Sequence, residues 1–384
     1  ERHGKEWFEK QKITNYSILK NNDDWDKKNF GHISDLDLNE KNIEVSGPGM
    51  HKDIALGSLK TLFDAIKSEN LTTILDLIDV DYFSKFLAMS TIINDDHMFT
   101  GDNLKYIYDF TNGKFKVFFR YESSIIRPIN GSIEEFNKVL FSHQREEVLS
   151  HKLFKILLDD NNFREQRDAH LQKIIDQKDN MINEAYNAYD DAYKNIIFSD
   201  IKLRHQKHLK KLFFKTLIHN FEKTSNYLSY AKIYMVEERM NDFIKLSLVN
   251  DSFVPIRLKS ISFKKKNNIK KIIRIEYENK EQYQLPPITI SKNQKHHVEK
   301  EIYIRTDLLI EKIEFQNLIT KNIVNQEHIY RNAISIYNKA NKESLLNSLK
   351  FNNIDFQLKN KNLFIKKGEY QIAKNIITPA GFNT

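Results

Sequence analysis

The sequence predicts an α+β chain on three observations. Residues 1–147 mix short helical and β-rich pieces, and a Thr-Asn-Gly turn at 111–113 joins two of the β-rich runs. Over residues 133–226 apolar side chains recur at helical spacing, with one strong interruption. From about Leu228 the apolar residues fall into strand-length pieces between short polar turns.

In chain order, ERHGKEWFEKQ (1–11) is polar and helix-prone, and NYSILKNN (15–22) is a short strand. LGSLKTLFDAIKS (56–68) carries helical spacing with Ser58 placed at the N-cap. DVDYFSKFLAMSTIIN (79–94) is the clearest buried helix, since Phe83, Phe86, Leu87, Met89 and Ile93 leave little polar surface. LKYIYDF (104–110), the turn, and KFKVFFRY (114–121) form a hairpin. The helices that follow are broken at DDNNF (159–163). FVPIRLKSISF, IKKIIRIEYE, YQLPPITIS and HVEKEIYIR then recur at the regular intervals of a β-sandwich. Residues 331–350 have the pattern of a linker helix, and 362–384 return to short β pieces that suggest the start of a further β region. The expected domains are therefore 1–226, 227–330 and 331–384.

Composition excludes several classes. Of 384 residues 40% are hydrophobic, with 26 Phe and 17 Tyr, which supplies real cores and rules out wholesale disorder. Cysteine is absent, so disulfides and thiolate metal sites are impossible. No apolar run reaches the roughly 18 residues of a transmembrane helix, and no signal peptide is visible. The chain opens at Glu1 rather than Met, as a piece of a longer protein would. The net charge of +8 is spread along the chain and not gathered in one arm, so nucleic acid is not an expected partner.

One stretch carries more chemistry than its place requires. NDDHMFTGDN (94–103) sets three aspartates, a histidine and two asparagines between two apolar runs. A turn needs one or two such residues to satisfy backbone donors. Asp95, Asp96 and Asp102 suit helix capping and turn filling as well as a catalytic site. His97 suits a structural hydrogen bond, because no second His or Cys stands at zinc spacing. His205 and His208, at i and i+3, lie among cations and fit a solvated basic helix face. His296 and His297 fall in a polar turn and are expected at the surface. The lysine-rich KSISFKKKNNIKK (259–271) suits protection of sheet edges.

Residues 94–124 resemble the core of the CotH kinase family, spore-coat protein H-like members of the protein-kinase-like fold. Asp96, His97, Asp102-Asn103, Tyr106, Tyr108, Gly113 and Phe115 fall in step with the family pattern. DVDYFSKFLAMSTI (79–92) is similar to the helix leading into the family's catalytic loop, and ERHGKEWFEKQKITNYSILK (1–20) to the segment after its hinge strand. The similarity covers roughly residues 1–200.

The resemblance implies a kinase-like C-terminal lobe, mostly helical with a β-hairpin, whose N-terminal lobe lies outside this piece. It implies transfer of the ATP γ-phosphate, with Mg²⁺ or Mn²⁺, to Ser or Thr of a protein substrate at the cell surface or outside the cytoplasm. Such chemistry is mostly positioning and charge neutralisation. The match assigns Asp96 to the acceptor hydroxyl, and Asn103 to the metal and the nucleotide phosphates. The family's second metal carboxylate falls at Tyr121 in this sequence, and Glu122 stands one residue later, where a strand would turn it to the other face. Glu122 is therefore the candidate second ligand for metal and nucleotide. The alternative is a catalytically degenerate relative that serves as a surface binding or structural module. A β-sandwich, and a C-terminus similar to the opening of a parallel β-solenoid, also suit long surface-located members.

Overall fold

The structure is a computed structural model. It describes residues 5–21, 43–94, 105–117, 126–131, 136, 149–194, 200–240, 243–265, 268–276, 283–291, 294–306, 308–331, 354–359, 362–367 and 370–371. The chain is α+β, with sheets antiparallel except for one parallel strand pair, Ile233–Met235 with Ile329–Arg331, and divides into two compact units, Glu1–Asn226 and Tyr227–Thr384.

The first unit begins with helix α1 (Lys5–Lys10) and strands β1 (Tyr16–Asn21) and β2 (Ile43–Ser46). Helices α2 (Lys52–Lys67), α3 (Leu71–Leu77) and α4 (Val80–Ile93) follow, then strands β3 (Lys105–Asp109) and β4 (Lys114–Val117). The predicted hairpin forms, and Gly113 closes it at φ +69°, a backbone conformation that favours glycine. Its Asp109 Oδ1 accepts from Thr111 N at 3.0 Å and Asn112 Oδ1 from Lys114 N at 3.1 Å. The hairpin does not stand alone: β1 and β2 extend it to a four-stranded sheet in the order β2-β1-β3-β4. An isolated hairpin would be marginal in water, and the extra strands supply its missing partner surface.

One sheet face, with Leu19, Tyr106, Tyr108, Phe115 and Val117, packs against Leu62, Phe63, Ile74, Phe83, Phe86 and Phe154 in a single core. The other face holds Ile107 and Tyr16 against Phe8 and Ile13. Ser58 is not an N-cap. Helix α2 starts at Lys52, because Ala55 extends the buried stripe of Leu59, Leu62 and Ile66 one turn further back.

Helices α5 (Leu149–Asp159), α6 (Asn161–Asp176), α7 (Lys178–Lys194) and α8 (Asp200–Ser229) complete the helical region. The break at DDNNF is where it was expected: Asp160 caps α6 by accepting from Phe163 N at 2.8 Å.

The second unit contains β5 (Ile233–Met240), β6 (Phe243–Asn250), β7 (Ile256–Lys265), β8 (Asn268–Glu276) and β9 (Gln284–Leu285). After them come β10 (Thr289–Ser291), β11 (Gln294–His296), β12 (Glu299–Arg305), β13 (Leu309–Asn317) and β14 (Ile329–Arg331). One sheet runs β12-β6-β5-β14 and another β13-β7-β8, with β9 on β7. Ile233, Met235, Leu246, Leu248 and Ile304 of the first share one apolar core with Leu258, Ile261, Phe263, Ile313 and Phe315 of the second.

At the C-terminus β15 (Ile354–Lys359), β16 (Asn362–Lys367) and β17 (Tyr370–Gln371) pair antiparallel. The expected solenoid opening would pair strands in parallel. Two residues separate each strand from the next, and so short a connection allows only a hairpin. The linker helix expected over 331–350 falls outside the described residues except for Arg331, which ends β14.

Candidate functional site

Asp96, Asn103 and Glu122 lie outside the described residues, as do Asp95, His97, Asp102 and Tyr121. What the structure does describe is the scaffold from which the segments 95–104 and 118–125 leave and to which they return.

That scaffold starts at α4. Asp79 caps the helix, accepting from Tyr82 N at 3.1 Å, and its own N–H donates to the Phe115 carbonyl of β4 at 2.7 Å. Ile78 bridges Phe115 in parallel, so the chain enters α4 and β4 from the same end. Tyr106 pairs with Val117, which brings the first residues of β3 beside the last of β4. The α4 C-terminus is closed by Asn94 in the left-handed conformation at φ 52°, with its N–H on the Ser90 carbonyl at 2.8 Å.

Residues 126–131 are tied to this helix end. Asn94 Nδ2 donates to the Pro128 carbonyl at 3.0 Å. From α8, Asn220 donates through Nδ2 to the carbonyls of Ile92 at 2.8 Å and Arg127 at 2.9 Å, and accepts from Ile129 N at 2.9 Å. His219 Nε2 adds a bond to the Ile129 carbonyl at 3.0 Å. In sequence, Asp96 is two residues from Asn94 and Asn103 two from Lys105.

A second polar cluster lies on the far face of the sheet. Lys116 Nζ meets Asp109 Oδ2 at 2.6 Å and Asp79 Oδ2 at 3.7 Å, with Lys116 and Asp109 both buried. Lys116 also stands 5.6 Å from the Tyr82 ring centre, and Tyr82 donates to Gln11 Oε1 at 2.9 Å. Burial first, then the charges of Asp79 and Asp81, push the Tyr82 hydroxyl up to about 12. Every charged group in this cluster has a partner, so it reads as structural.

At the start of α4, Asp81 accepts from Lys85 and lies 3.0 Å from His170 Nε2 of α6. Burial pushes the Asp81 carboxyl up, but Lys85 and His170 outweigh it and hold the group below its ordinary value. Burial lowers the His170 imidazole and prevails over the Asp81 charge, which raises it.

The second unit corrects one expectation. His297 is not at the surface: its side chain is 5% exposed, and Nε2 meets Asp251 Oδ1 at 2.9 Å. Asp251 Oδ2 in turn faces Lys232 Nζ at 3.4 Å. The ladder register explains the burial, since the β5–β6 pairing extended by one row and the β6–β12 pairing extended by two line up Lys232, Asp251 and His297. Sequence reading saw only the polar turn around His297 and not the partner 46 residues away.

Asn220 was also missed. The signal was present, because it occupies a position on the apolar stripe of Phe214, Leu217, Phe221 and Tyr227 where a polar residue must find partners. Among the described residues no group of three or more His, Asp or Glu side chains is placed to hold a metal ion. No described helix is long and apolar enough to cross a membrane. No protein-family model, curated protein or solved structure matches the chain.

Proposed function

We propose that residues 1–226 form an atypical kinase-like C-terminal lobe of the CotH type. It transfers the ATP γ-phosphate, with Mg²⁺ or Mn²⁺, to Ser or Thr of cell-surface or secreted proteins. One observation carries this reading beyond the motif. The described anchors are held at two places. Asn94 and Asn220 tie residues 127–129, which follow the second segment, to the α4 end from which the first leaves. The β3–β4 pairing sets Tyr106, just after the first segment, beside Val117, from which the second leaves. Phosphoryl transfer needs an acceptor-orienting carboxylate and metal ligands held by rigid elements, and the fixed ends that flank Asp96 and Asn103 in the chain suit that need. The two sheets around one core in the second unit support reading 227–330 as a β-sandwich.

Tyr121 favours a second reading. A phenol at the family's metal carboxylate position removes a hard anionic ligand, and a chain that lost it serves as a binding or structural module. Melting curves separate the two. The enzyme reading expects stabilisation by Mn²⁺, increased by ATP, and reduced in Asn103→Ala and Glu122→Gln. An identical response of wild type and Glu122→Gln removes Glu122 from the ligand set and puts the module reading first.

A further inference from the structure

We propose that β12 is a docking edge on which a second copy of this chain adds its own β12, antiparallel, to form one sheet across a two-fold axis. The case rests on how the four strands that end the two large sheets differ. Exposed strand edges template pairing with other chains, and proteins blunt them by shortening or bulging. Strand β14 is only three residues long. The β13 ladder with β7 shifts register twice, at Ile310/Lys312 and Glu314/Phe315, and the β8 ladder shifts once, at Lys264/Lys265.

Strand β12 is neither short nor bulged; the edge device it carries is charge of both signs, Glu299, Lys300, Glu301 and Arg305. Its seven residues, EKEIYIR, pair with β6 in unbroken register from Glu299 to Arg305, without glycine or proline. Among the described residues it pairs with β6 alone. Ile302 and Ile304 are buried in the core, which fixes the strand's orientation, while Tyr303 is 55% exposed and Val298, just before the strand, 45%. The Tyr303 hydroxyl donates to Glu301 Oε2 at 2.8 Å, and Glu301 also pairs with Lys245 of β6, so the exposed ring sits on a braced face.

Charge order selects the occupant. The strand carries acid at its beginning, Glu299 and Glu301, and base at its end, Arg305. Antiparallel pairing with a second copy sets the acidic end of each strand beside the basic end of the other. Parallel pairing sets Glu on Glu and Lys300 on Lys300, which repel. The antiparallel arrangement is isologous and closes as a dimer instead of growing into a fibre. One seven-residue strand pair is a small interface, so the dimer is weak and reversible.

The test is sedimentation velocity of the full chain over a hundredfold concentration range, with amide hydrogen exchange at both ends of it. The expected result is a concentration-dependent dimer, with protection gained in 299–305 and unchanged in 309–317. Arg305→Glu turns two symmetric attractions into repulsions and is expected to weaken the dimer roughly tenfold. Tyr303→Ser, at an exposed position where folding is not at risk, weakens it too. A monomer at every concentration overturns the proposal, as does a dimer that gains protection anywhere but β12. Protection of β12 in a monomer only when an extended peptide of other sequence is added assigns the edge to a different partner, and overturns it equally.

Discussion

Asn220 Nδ2 lies 2.8 Å from the carbonyl oxygen of Ile92, joining α8 to the last turn of α4 across 128 residues of sequence. The same side chain holds Arg127 and Ile129, and it is fully buried. Asn220→Ala strands three backbone groups in a dry interior, and a loss of about 3 kcal/mol or more is expected. Both tryptophans, Trp7 and Trp25, belong to the first unit, so urea unfolding followed by tryptophan fluorescence reads that unit. The exposed neighbour Asn226→Ala is the control and should change little.

Lys116 is expected to matter through the charge it neutralises. Removing it leaves Asp109, 4% exposed, with an uncompensated carboxylate. Lys116→Met should cost about 3–5 kcal/mol, and Lys116→Met combined with Asp109→Leu should cost less than the single change. A double-mutant cycle checks this. Strict additivity would show that the two groups do not act as a pair.

Gly57 sits inside α2, and a Cβ built there meets nothing within 4 Å. Its conformational freedom in the unfolded chain is therefore a cost without a packing benefit. Gly57→Ala should stabilise the first unit by about 0.5–1 kcal/mol, read from the same fluorescence melt.

Acid should weaken the first unit through His170. Its folded pKa lies below the ordinary value of about 6.5, so the unfolded chain binds more protons as pH falls through that value. Stability is then lost as pH falls from about 6.5 toward the folded pKa. Asp81, also lowered, adds a loss of the same sign further into the acid range. Melts at pH 7.5 and pH 5 should show a larger drop for wild type than for His170→Gln. Equal drops would remove His170 from the account.

Local signals made part of this fold legible. The hairpin announced itself through its Asn-Gly turn, α4 through its apolar run behind Asp79, and the α5–α6 break through Asp160. Strands β5 and β6 went unread because Glu237, Glu238, Arg239 and Lys245 interrupt the apolar alternation. Lys245 is buried all the same and paired with Glu301 of β12, a contact 56 residues along the chain that no local window contains. The joining of β1 and β2 to the hairpin, and the burial of His297 on Asp251, are long-range pairings of the same kind. At the candidate site the residue types were legible in NDDHMFTGDN and the anchors were not, because Asn94 and Asn220 act through backbone groups remote in sequence.

The proposed function makes residues 1–226 a phosphotransferase of the CotH type, with Asp96 orienting the acceptor hydroxyl. Transfer of radiolabel from γ-labelled ATP to Ser or Thr, with Mn²⁺ or Mg²⁺ supplied, tests it most directly. The assay uses the full-length protein. The expected result is metal-dependent incorporation that Asp96→Asn abolishes and Asn103→Ala greatly reduces, with the metal-free melting temperatures of both variants unchanged. Incorporation that is absent in wild type, or equal in wild type and Asp96→Asn, contradicts it.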